Sequence, residues 1–111
     1  MRVELLYWDG DPDYMRARQN LVELLTEDAF ETTIQMIAVS SDDDAELLEF
    51  TGSPTIRIDG HDILPTGDAT FGLRRREYPA DDGDGRTPVP GKRLIRRAIE
   101  RARGWGHGRH D

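Results

Sequence analysis

The chain has 111 residues, enough for one domain whose core needs no disulfide or metal to hold it, and it contains no cysteine. Disulfide exchange, thiolate nucleophiles, thiolate zinc sites and iron–sulfur clusters are therefore closed to it. Its net charge of −7 is unevenly divided: residues 1–91 carry 8 basic and 20 acidic side chains, residues 92–111 carry 7 and 2.

A hydrophobic content of 36% against 33% charged residues describes a soluble globular protein. No apolar run approaches the roughly 18–20 residues that cross a bilayer, so no membrane is expected as a partner. Met1 to Leu5 runs straight into a strand pattern without a secretory signal, and cytoplasmic residence is the expectation. Fourteen arginines accompany a single lysine, Lys92, a bias that points to a GC-rich genome. No aromatic residues interleave with the basic ones, so nucleic acid is not an expected partner. The basic final segment either attracts an acidic partner or neutralises the acidic body of its own chain.

Val3 to Trp8 is a short, largely apolar run bounded by Asp9-Gly10, and reads as a buried strand. Asp11 then stands as an N-cap before Pro12, and Tyr14, Ala17, Leu21, Leu24 and Leu25 share one face of a helix running to about Glu27. Thr32 to Val39 alternates as a second strand. Ser40 and Ser41 cap a second helix opened by Asp42-Asp43-Asp44, whose negative charge suits the helix dipole. It carries Ala45, Leu47, Leu48 and Phe50, and Gly52 is expected to end it. Thr55 to Asp59 is a third strand, and the Asp59-Gly60 turn returns His61 to Leu64 as a fourth. Residues 65–91 are rich in Gly, Pro and Asp and read as an irregular insertion, in which Phe71 to Tyr78 is either a further strand or an ordered loop. A last helix starts near Pro90, with Leu94, Ile95, Ala98, Ile99 and Ala102 at helical spacing. Gly104 is expected to break it, with Trp105 folding back on the core and a flexible tail over 104–111.

The order β-α-β-α-β-β-α, with a proline after the second helix, gives an α/β domain over 1–103 with a mixed four-stranded sheet and helices on both faces. Asp9-Gly10-Asp11-Pro12, Gly52-Ser53-Pro54-Thr55, Asp59-Gly60 and Gly72-Leu73-Arg74-Arg75-Arg76-Glu77-Tyr78 follow one another along it. In that order and spacing the chain resembles small bacterial thioredoxin-like proteins, often labelled thioredoxin-family or alkylmercury-lyase-like. The resemblance spans the first strand to Ala102. It implies a thioredoxin-like fold with a cis Ser53–Pro54 bond that leaves the Ser53 backbone ready to pair with an extended peptide or small ligand. It also places the two family cysteines at Asp11 and Arg75. Aspartate keeps a negative group at a helix start but performs no thiol exchange, so the family's redox and organomercurial activities do not transfer. Opposite charges at the two substituted positions lead us to expect an Asp11–Arg75 ion pair.

Two functions follow. One is a non-redox binding module, without cofactor, that holds a peptide, protein partner or small anion on a surface of Asp11, Ser53, Pro54, Thr55 and Arg75. The alternative is an enzyme with non-thiol chemistry, using Asp9, Asp11 and Asp13 with Mg²⁺ or Ca²⁺. That cluster departs from a calcium-binding loop at Tyr14 and Asn20, where Gly and Glu are needed, and from the Asp-x-Asp phosphatase pattern at Asp13. Helix capping and solvation are the simpler account of these carboxylates. Asp81, Asp82 and Asp84 read as a solvated loop, and neither His61 nor His107 and His110 has a ligand partner at recognisable spacing. Arg74, Arg75 and Arg76 either hold an anion or pair with the acidic body, and as a strand would point alternately to opposite faces.

Overall fold

The structure, a computed structural model, describes residues 1–67 and 70–107, with side chains to residue 104. The expectations for Trp105 and for the tail beyond His107, including His110, lie outside these residues and side chains.

The apolar run near the start forms β1 (Val3–Tyr7), and a strand with so few polar positions belongs at a sheet centre. It is flanked in parallel by β2 (Ile34–Ala38) and antiparallel by β3 (Thr55–Ile58), and β3 pairs with the short β4 (His61–Asp62). The resulting order is β2-β1-β3-β4, a mixed four-stranded sheet. Asp59 and Gly60 take positive φ of 51° and 84°, the geometry of the tight hairpin that this dipeptide favours.

Side-chain alternation divides the sheet into two faces. Val3, Leu5, Ile56 and Ile58 face α1 (Tyr14–Glu27) and α3 (Lys92–His107), whose buried residues include Leu21, Leu24, Ile95 and Ile99. Leu6, with Val39, Ala45 and Phe50, builds a smaller cluster under α2 (Asp42–Leu48). Helices thus lie on both faces.

Several boundaries differ from expectation. Helix α1 begins at Tyr14 with Asp13 as its cap residue, because the Asp11 carboxylate is drawn into the site described below. Helix α2 closes at Leu48 and the chain turns at Glu49, with φ of 53°, instead of continuing to Gly52. Leu47, expected to contribute to the apolar face of this helix, points away from the core, 82% exposed. Gly104 does not stop α3, which continues to His107. One helical glycine costs about 1 kcal/mol, and the packing of Ile95, Ala98, Ile99 and Ala102 outweighs it. The insertion contains a two-stranded ribbon, β5 (Tyr78–Pro79) with β6 (Arg86–Thr87).

Two basic residues of α3 pair with carboxylates of the same chain. Lys92 pairs with Glu23 and Glu27, and Arg96 with Asp28. The Lys92 hydrogen bond lowers the Glu23 pKa below the usual carboxylate value, and its carboxylate partners raise that of Lys92. Asp81 is more than a solvated loop residue. Its carboxylate accepts the Arg93 N–H at 3.0 Å and so caps α3 from a distant loop. Asp81→Ala is expected to lower unfolding free energy by about 1 kcal/mol in urea denaturation.

Candidate functional site

The site forms where the C-terminal end of β1, the approach to α1 and the entry to β3 meet. Ser53–Pro54 is cis, as expected. Ser53, Pro54 and Thr55 are all buried, as is Asp11 at 1% exposure. Ser53 Oγ donates to Asp11 Oδ2 at 2.8 Å and accepts the Trp8 N–H at 3.0 Å. Asp11 Oδ1 accepts the Asp13 N–H at 2.9 Å. Buried polar groups are tolerated only when so satisfied, and this carboxylate ties the helix start to the β3 entry.

The Ser53 backbone is not open to a ligand. Its N–H donates to the Arg74 carbonyl and its carbonyl accepts the Arg76 N–H, each at 2.8 Å. Residues 74–76 therefore lie along Ser53 as a short parallel bridge of the chain upon itself. Gly52, at φ of 151°, permits this approach, since an added Cβ there would stand 3.0 Å from Arg76 Cβ.

The bridge sends successive arginines apart, as the alternation predicts. Arg75 turns towards α1. Its Nε is 3.9 Å from Asp11 Oδ1 and its Nη2 is 2.7 Å from Asp13 Oδ2. The two positions assigned to cysteines by resemblance do carry opposed charges within reach, although Asp13 is the nearer partner. The Arg75 side chain remains 52% exposed, whereas Asp11 beneath it is sealed. Arg75 alone among the five expected binding residues presents a large surface to solvent.

Arg76 enters the interior instead. Its Nη1 donates to Asp62 Oδ2 at 2.8 Å and Thr55 Oγ1 at 3.1 Å, and its Nη2 to the Leu64 carbonyl. The guanidinium lies over the Tyr78 ring, 4.8 Å from its centre, and the Tyr78 hydroxyl donates to the Pro54 carbonyl. Burial pushes the Tyr78 phenol well above its ordinary value of 10.0, an effect that the neighbouring Arg76 charge only partly offsets. Sequence reasoning grouped Arg76 with its neighbours as a surface cation. The Arg-x-Tyr spacing, which puts both side chains on one face of an extended segment, was the available signal.

The acidic cluster does not converge on a cation. Asp9 is exposed, both Asp11 oxygens accept protein donors, and Asp13 is paired with Arg75 and Arg16. Among the described residues no group of three His, Asp or Glu side chains is arranged to hold a metal ion. Tyr7 at the end of β1 and Tyr14 at the start of α1 stack with ring centres 4.3 Å apart. Among the described residues no helix is long and apolar enough to cross a membrane. The chain matches no protein-family model, no curated protein and no solved structure. What stands is an α/β architecture with a buried polar network capped by one outward arginine.

Proposed function

We propose that the chain is a cysteine-free, thioredoxin-like binding module, non-redox in its action, in which Arg75 meets the ligand. The strand order β2-β1-β3-β4, with helices on both faces and Ser53–Pro54 at the entry to β3, supports the architectural part of this reading. The observation that carries the functional part is the state of Arg75, held by Asp13 through Nη2 while its side chain is 52% exposed to solvent. A guanidinium fixed in this way has donors oriented for a second carboxylate and loses little freedom on binding it. Trp8 and Leu73, near Asp11 and Arg75 along the chain, are only partly buried against the smaller cluster, offering apolar contact to the rest of a peptide. The ligand class is a carboxylate-bearing peptide or protein segment, docking outside residues 74–76 because the Ser53 backbone is already paired.

Selection of a random displayed peptide library on the immobilised chain tests this. Enriched peptides should carry Asp, Glu or a free C-terminus, and Arg75→Ala should weaken them about tenfold or more. The same variant should unfold within about 2 kcal/mol of the wild type, since the Arg75 side of the pair is half exposed and Asp11 keeps its bonds from Ser53 and the Asp13 N–H. No acidic enrichment, or equal binding by Arg75→Ala, would overturn the reading.

A further inference from the structure

The two edges of the main sheet are treated very differently. On one side β4 has two residues, one of them Asp62, and Pro65 follows closely. Short, charged, proline-flanked edges resist pairing with another chain. The other edge, β2, is five residues long and reads Ile-Gln-Met-Ile-Ala. It sits inside Thr32 to Ser41, ten consecutive residues without a charge and the longest such run in a chain that is one-third charged. It carries no charge and no proline along its length.

The backbone direction follows from one bond. Val39 donates its N–H to the Tyr7 carbonyl, so alternation turns Gln35 and Ile37 towards β1 and leaves the N–H and C=O of Ile34, Met36 and Ala38 facing outward. Among the described residues no strand pairs with that side. Helix α1 flanks the same edge. Val22 and Thr26 border a groove of about 420 Å³ together with Phe30 and Ile34. Met15 and Val22, seven residues apart on one helix face, are two of the large apolar side chains left exposed, at 53% and 37%.

We propose that β2 is a homodimer interface, pairing antiparallel with β2 of a second copy about a two-fold axis at Met36. In this register Ile34 opposes Ala38 of the second copy and Met36 opposes its counterpart, each pair exchanging both backbone hydrogen bonds. A two-fold axis brings identical residues close together, so any charge near it would meet a like charge. The uncharged run avoids this penalty along the strand itself, and with the basic Arg18 lining the groove beside it this edge offers a chain of net charge −7 the approach of least repulsion. The same axis brings the two α1 helices to one face of the joined sheet, where Met15 and Val22 lie beside the seam. A second copy is thus favoured over an unrelated charged peptide.

Sedimentation of the full chain should show a dimer at micromolar concentration that dissociates on dilution. Gln35 is exposed and becomes a diagonal neighbour of its counterpart across the axis. Gln35→Lys and Gln35→Glu should each raise the dissociation constant about tenfold or more, and mixing the two variants should restore the dimer. Hydrogen exchange should slow with protein concentration at the Ile34, Met36 and Ala38 amides and stay constant at Gln35 and Ile37. A monomer throughout, charge variants that dimerise as the wild type does, or a mixture that fails to recover would each overturn the proposal.

Discussion

Arg76→Ala should lower the unfolding free energy by about 3–5 kcal/mol, the usual cost of removing one partner from a buried ion pair. Against a typical domain stability of roughly 5–15 kcal/mol, that leaves a marginal protein. The size of the effect comes from how much one side chain holds. Only 8% exposed, it joins β4 through Asp62, β3 through Thr55 and the following loop through the Leu64 carbonyl, and it covers the Tyr78 ring. Truncation leaves the Asp62 carboxylate, itself only 20% exposed, without its cation. Arg76→Lys should recover part of the loss, since an ammonium keeps the charge but not the planar fork that serves three acceptors at once. Combining Arg76→Ala with Asp62→Ala should cost clearly less than the sum of the single changes, because the second removes the stranded charge. Urea denaturation of the four proteins measures this, and a loss below about 1 kcal/mol for Arg76→Ala would contradict the buried pairing.

Tyr78→Phe should have an effect that shrinks as pH rises. At neutral pH the variant loses the hydroxyl that donates to the Pro54 carbonyl, a cost of about 1–2 kcal/mol. The fully buried phenol holds its proton in the native state beyond the pH at which an unfolded tyrosine, near 10.0, gives it up. Above that pH the unfolded state binds fewer protons than the native one. Wild-type stability should therefore fall as pH rises, by up to about 1.4 kcal/mol per unit from this group. The variant lacks that dependence, so the gap between the two proteins should narrow above pH 10.0. A gap that stays constant or widens through that range would show that the phenol is not protected as the structure places it.

These two residues, with the bridge at Ser53, give the stretch from Phe71 to Tyr78 its role. Before Tyr78, where β5 begins, it is neither a strand of the main sheet nor a free loop. It closes the backbone of Ser53 and delivers one arginine to the surface and the next to the interior. The exposed position of Arg75 over Asp11 and Asp13 is a consequence of that closure.

Local patterning settled much in advance. The first, buried strand follows from the apolar run at Val3 to Trp8, the hairpin from Asp59-Gly60, and the helical faces from the spacing of Leu21, Leu24, Ile95 and Ile99. The absence of cysteine settled the exclusion of thiol chemistry. These features depend on near neighbours and residue type, which a sequence states directly. Tertiary structure alone decided the fate of the charges. Asp11 became a buried hydrogen-bond hub instead of a helix cap, Asp13 displaced it as the main partner of Arg75, and Asp81 became the cap of a helix twelve residues away. Carboxylates and arginines choose partners by proximity in space, and long side chains reach whichever opposite charge the packed backbone brings near. Arg74, Arg75 and Arg76 are chemically identical in the sequence; only the pairing of their backbone with Ser53 made one a candidate for binding and another part of the core.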